Sequence, residues 1–452
     1  MNSDFANLRC KLCLILRLLL IFGLSLLATR QGFSESMPSP FVSLRSYSEI
    51  CKQQALEKIG WEVQTLSEGE PGIFGDFPRC TQLAKGNLKL QLPAEGNPSR
   101  ESLLDEALLS GGTSCAFQNQ YKKAVTVATR KLQKNHLYWF TPFWTQDNIK
   151  LWSLKKEWQE IPCSGGNCFV PQALVPALDA LKTSFYSTDC AAGLQIATYV
   201  AAQELFGSEA LSQIVSLSEI VIGDWPVVQN SNSLTFGLRA RKIQPRAGLA
   251  YGRSGPYSFA GVPGYLGAVY GESFLDNKTN QGENFLITEV SSAGAESFLN
   301  NGGLPYYKGY LSKFWESTQG LQPEELQALQ SLAEMNRLKG ATDLQVQRQI
   351  RESANVIVSN RAMQAAALLN DPFLIDTQIY VHPVGVQSIA WHLLRLAQLN
   401  SRTPYELFFY ADTAHAEIFD RWLTLQLRNC EPNGLSSSPD KINSGAQSHH
   451  SF

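Results

Sequence analysis

Three side chains in this sequence have the types that thiol chemistry needs: Cys190, Glu283 and His382. A cysteine nucleophile needs a lowered pKa, a base that takes or shares its proton, and a group that orients the base. Cys190 stands where a helix should begin. Ser187, Thr188 and Asp189 are all capping residue types, Leu194, Ala197, Ala201 and Leu205 recur at helical spacing, and Gly207 suits the stop. A thiol in the first turn meets the positive end of the helix dipole, which favours thiolate over thiol. The plainer alternative is a small buried cysteine on an apolar helix. Glu283 opens the apolar strand QGENFLI, an edge position where a glutamate is ordinarily just solvated. Histidines are scarce, and His382 stands near the end of the strand-like FLIDTQIYVHPV, after the nucleophile, where a base is expected. A serine-based alternative lacks the Gly-x-Ser-x-Gly elbow.

These residues must be positioned by a helix carrying the thiol and a sheet carrying its partners, a papain-like layout. Residues 1–36 read as a secretory signal: Arg9, Lys11 and Arg17 precede the apolar run Leu18 to Ala28, and small residues follow. That run is short for a membrane span, and only if left uncleaved would it hold the chain at a membrane. Residues 37–134 form an N-terminal extension of mixed character, with helical pieces at Tyr47 to Ile59 and Ser99 to Leu109. Residues 135–320 form the first part of the catalytic core. It opens with two short strands in HLYWFTPFWTQ and IKLWSLK, and Pro171 to Leu181 gives a short helix before Cys190. Residues 321–371 form a helical insertion that opens at Pro323, and 372–430 form the second part of the core. There Phe373 to Val384 is strand-like, Val386 to Leu399 an amphipathic helix, and Pro404 to Tyr410 and Ala414 to Arg428 further helix. The tail 431–452 is polar and expected to be disordered.

The 452 residues are 44% hydrophobic and 17% charged, enough to bury a sizeable core. A net charge of -2 and a pI of about 6.3 give no electrostatic case for nucleic acid or an anionic membrane. If Cys10 and Cys13 leave with the signal, seven cysteines remain, an odd number that leaves one thiol over in an oxidising compartment. Cys190 is the one expected to be left over, and Cys163-SGGN-Cys168 is the expected local disulfide. No two-residue-spaced cysteine pair remains to suggest a metal site.

FYSTDCAAGLQIATY, IVIGDW, GVPGYLGAVYG and QGENFLI, in this order, resemble the small spore-coat-type bacterial transglutaminases. LYWF upstream fits as well, and so, more loosely, does VHPVGVQ followed by WHLLRLAQLNSRTPYELF. The resemblance covers roughly 135–290 and 375–410. It implies an α+β fold, a papain-like or NlpC-type core with the nucleophile helix packed on an antiparallel sheet. The N-terminal extension and the helical insertion are additions to it. It also implies Cys190 as nucleophile and Glu283 as its essential partner. The acid before the cysteine is a glutamate in the family and Asp189 here. For the third position two alignments compete: Glu296 at the family's interval, where no histidine stands, or His382 displaced by the insertion, which the flanking YVHPVG favours. The implied reaction joins a protein glutamine, as acyl donor, to a lysine amine through a cysteine thioester, in a narrow apolar tunnel. No cofactor and no calcium are implied. A secreted thiol amidase or peptidase, and a non-catalytic extracellular binding protein, are the rival expectations.

Overall fold

The computed structural model describes residues 44, 47–74, 88–140, 149, 151–163, 166–228, 231–235, 266–270, 282–337, 348, 352–353, 355–382, 384–398, 404, 406–410 and 414–431. They make an α+β structure. Its first elements are α1 (Glu49–Ile59), β1 (Glu62–Thr65), β2 (Ile73–Phe74), β3 (Lys89–Leu92), α2 (Ser99–Leu109) and α3 (Gly111–Lys134). Ser48 caps α1 through its hydroxyl, and Gly60 ends it at φ 117°, a conformation that suits glycine. Lys52 on α1 is fully buried yet meets Glu101 at 2.9 Å and Asp105 at 2.7 Å on α2, so its charge is paired. The basic residues of 122–133 belong to α3. The other face of α3 presents Phe117, Tyr121, Val125, Ala128 and Leu132 at helical spacing and packs on the helix that carries Cys190.

The chain continues through β4 (Tyr138–Phe140), β5 (Trp158–Cys163), β6 (Gly166–Pro171), α4 (Leu174–Leu181), β7 (Tyr186–Thr188), α5 (Cys190–Phe206), α6 (Ser208–Ile214) and β8 (Ile222–Gly223). Then come β9 (Leu266–Tyr270), β10 (Gly282–Glu289), α7 (Ser292–Asn300), α8 (Leu304–Thr318), α9 (Pro323–Arg337), α10 (Asn360–Leu368) and α11 (Pro372–Asp376). The last elements are β11 (Gln378–Val381), β12 (Gly385–Ser388), α12 (Ile389–Gln398), β13 (Glu406–Tyr410) and α13 (Ala414–Cys430). Five strands form one antiparallel sheet in the order β12-β11-β10-β9-β13.

The sheet separates two cores. Leu286 of β10 and Tyr380 of β11 join the apolar residues of α1, α3, α5 and α13. Phe285, Ile287, Ile379 and Val381, on the alternate positions, join those of α7 to α12. The N-terminal helices and α13 thus share a core with α5, and α7 to α12 cover the other face.

Several expected elements change type. Glu406 to Tyr410, expected as helix, is strand β13, paired with β9 through Leu407 and Val269. A short apolar run suits either element, and a vacant sheet edge decides it. Phe373 to Asp376, expected as strand, belongs to the helical turn α11, because Asp371 Oδ1 accepts from both Phe373 N and Leu374 N and Pro372 fits the first position. Val386 to Ser388 pairs as β12, and the helix begins only at Ile389. Trp152 to Leu154 is a single 3-10 turn rather than a strand.

Cys163 and Cys168 form the expected local disulfide, and Cys51 is bonded to Cys430, tying α1 to α13 across 379 residues of sequence. Cys115 is disulfide-bonded too. Such bonds fit an oxidising compartment. No helix among the described residues is long and apolar enough to cross a membrane.

Candidate functional site

The site is built on the N-terminus of α5. Asp189 is the cap: its Oδ1 accepts from Ala192 N at 2.7 Å, and Cys190 is the first helical residue. Nearly every side chain from Ala191 to Gln203 is buried, because α3, the sheet and β8 surround the helix. Two polar side chains of α5 hold β8 in register. Gln195 donates to Gly223 O at 2.8 Å and accepts from Gly223 N at 3.0 Å, and Tyr199 donates to Val221 O at 3.1 Å. Within this packed frame Cys190 is only half-buried and lies outside any disulfide.

The sheet delivers two groups to that thiol-bearing face. Asn284 of β10 donates from Nδ2 to Cys190 Sγ at 3.1 Å. His382 follows β11 and lies on the face of Tyr380, two residues earlier. Its ring stacks on Tyr138 with centroids 3.8 Å apart and planes within 10°. Tyr138 in turn stacks on Tyr186 at 4.3 Å and shares a 2.8 Å hydrogen bond with Thr188, just before the cap. A Cβ added at Gly193 would come within 3.0 Å of His382 Cβ and 3.2 Å of its Cγ. Gly193 is three residues after Cys190, so the imidazole lies against the helix face that carries the thiol, one turn along. The register Leu286↔Tyr380, carried two residues further, brings Asn284 and His382 to corresponding positions.

His382 Nε2 lies 3.1 Å from the main-chain oxygen of Trp139. A carbonyl only accepts, so that nitrogen carries the hydrogen and Nδ1 keeps the lone pair. Burial pushes this imidazole down to about 3, against the upward pull of the Trp139 carbonyl. It therefore stands neutral near pH 7. The group that orients the ring is thus a main-chain carbonyl on β4.

Glu283 stands in β10 opposite Val269, immediately before Asn284, and its side chain lies outside the described residues. Of the motif GVPGYLGAVYG, residues 261–265 and 271 lie outside them too. Glu296, the rival for the third position, is exposed on α7, whose Phe298 packs among the helices on the other side of the sheet. Of the other histidines, His136 is exposed and His392 is buried on α12 with its Nδ1 bonded by Gln387 at 2.9 Å. Residue-type reasoning passed over Asn284. The signal for it was an amide inside an otherwise apolar strand, where it needs a polar partner.

Burial raises the Asp189 carboxyl to about 7; the Ala192 amide draws it down and the charge of Asp224 pushes it up again. An acid with a raised folded pKa contributes stability that is fully present below its ordinary value of 3.8 and is lost as pH rises through about 7. Asp189→Asn keeps a capping oxygen and removes the ionisation. The variant is expected to match wild type near pH 4 and to exceed it at pH 8 by a few kcal/mol, read from urea midpoints. A gap between the two proteins that is the same at both pH values would mean that Asp189 ionises normally.

Comparison of the chain with protein-family models, with curated proteins and with solved structures gives no match, which leaves the geometry of Cys190, Asn284 and His382 as the ground for a function.

Proposed function

We propose that this protein is an exported protein-glutamine γ-glutamyltransferase on a papain-like, NlpC-type core, forming isopeptide cross-links through a thioester on Cys190. The observation that carries the reading is a half-buried helix-start thiol facing an amide donor, with an oriented neutral imidazole one turn along the same helix. The motif order around FYSTDC and QGEN adds to it.

In the first step Sγ attacks the carboxamide carbon of a protein glutamine. The thiol proton passes to His382 Nδ1, and the carbonyl π pair moves onto oxygen. Collapse of this intermediate breaks the C–N bond, and the nitrogen takes the proton and leaves as ammonia. A neutral lysine amine then attacks the thioester, gives up a proton to the same base, and releases Cys190 as thiolate. The imidazole, held neutral by burial, becomes a competent base as negative charge develops nearby.

The test incubates the oxidised protein with a glutamine peptide and a primary-amine probe, and weighs the peptide. A gain equal to the probe minus ammonia is expected. Exchange of ammonia for water in the presence of excess amine would instead make the protein a thiol amidase. An unchanged peptide, with Cys190 unreactive, would leave a binding protein.

A further inference from the structure

We propose that Asn284 is a catalytic residue of this site, the hydrogen-bond donor that stabilises the thiolate as Cys190 gives up its proton. The assignment rests on Cys190 being the nucleophile of the reaction above. Strand β10 runs Asn284, Phe285, Leu286, Ile287, and the last three are fully buried. An amide side chain at the head of this apolar run costs desolvation unless it finds a partner. Its Nδ2 finds Cys190 Sγ at 3.1 Å, from a strand 94 residues away in sequence.

The chemistry favours one charge state. A neutral sulfur is a weak acceptor, whereas a thiolate is charged, and hydrogen bonds to charged groups are about twice as strong as neutral ones. A donor aimed at Sγ therefore stabilises the ionised form selectively. The first helical position of Cys190 adds the partial positive charge of the α5 N-terminus to the same atom. Asn284 contributes a directed bond, which fixes where the sulfur lone pairs point as well as its charge. Glutamate or aspartate at 284 would have the opposite effect, placing negative charge against negative sulfur.

The test is the pH dependence of alkylation by iodoacetamide in the intact, oxidised protein, where carbon–sulfur bond formation expels iodide and reports thiolate. Mass mapping confines the readout to Cys190. Asn284→Ala is expected to raise the midpoint of the profile by about one pH unit and to slow labelling at pH 7 about tenfold. Asn284→Asp, nearly the same shape, is expected to raise it further. Matching melting temperatures for Asn284→Asp and wild type guard against a merely unfolded variant. A midpoint that stays put or falls in Asn284→Ala overturns the assignment. A fall would mean that the amide oxygen faces sulfur and holds the thiol. The glutamine–amine assay separates this from the functional reading. Undiminished product from Asn284→Ala sinks Asn284 alone. A shifted alkylation midpoint with no product from wild type sinks the transferase and leaves the thiolate donor standing.

Discussion

Replacing Cys190 by alanine is expected to abolish acyl transfer, with a fall of about 10⁵-fold or more, while leaving the fold intact. The size follows from the proposed mechanism, in which no sulfur means no thioester, and neither His382 nor Asn284 has a nucleophile to serve. The neutrality of the fold follows from place. Cys190 is half-buried at the first position of α5, outside any disulfide, and alanine is the best helix former. The melting temperature should therefore move by no more than about one kcal/mol of stability corresponds to. Product formation by Cys190→Ala at a tenth of the wild-type rate would assign the chemistry to another residue. A collapse of the fold would make Cys190 structural, the plainer reading of a cysteine on an apolar helix.

The second large effect is expected at a glycine. Gly193→Ala adds one methyl group to α5, which in isolation stabilises a helix by about 1 kcal/mol. Here that methyl would stand 2.8 Å from Tyr138 Oη and 3.0 Å from His382 Cβ. Tyr138 has nowhere to go. It is buried, stacked between Tyr186 and His382, and hydrogen-bonded to Thr188 at 2.8 Å. The imidazole, at the end of β11, must yield instead, loosening its bond to the Trp139 carbonyl. Overpacking of this kind costs about 1–3 kcal/mol, which outweighs the gain in helix propensity. A displacement of a catalytic group by about 1 Å lowers turnover by about 100-fold. The expected result is a modestly destabilised protein with about one per cent of wild-type activity, and with Cys190 still alkylated. Gly309→Ala on α8 is the control. Nothing stands within 4 Å of its added Cβ, so the same change should stabilise slightly and leave activity alone. If Gly193→Ala behaves like Gly309→Ala, the close approach of His382 to α5 does not limit the reaction.

Both effects depend on residues that the sequence exposes to different degrees. The α5 segment was legible almost to the residue. Its cap, its apolar spacing and its terminal Gly207 are local signals, and Asp189 and Cys190 take the positions that those signals require. The Cys163–Cys168 bridge was equally local, a short glycine-bearing loop between two strands. His382 could be placed at the end of a strand, because FLIDTQIYVHPV carries β-type residues up to it.

Which face those strands turn toward the thiol could not be read that way. A strand has two faces, and a shift of one residue exchanges them, so only the pairing of β10 with β9 and β11 chooses. That choice set Leu286 and Tyr380 toward α5, brought His382 over Gly193, and brought Asn284 into contact with sulfur. The same dependence on partners turned Glu406 to Tyr410 into a strand, since an apolar pentapeptide takes whichever element the sheet edge offers. It also joined Cys51 to Cys430, a contact between the two ends of the described chain that no local spacing encodes. The sequence by itself determined a capped, thiol-bearing helix and apolar strands to lie beside it, because caps and periodicity act within a few residues. The tertiary structure alone decided which side chains meet at Cys190, because strand register and long-range closure are settled by packing across the whole core.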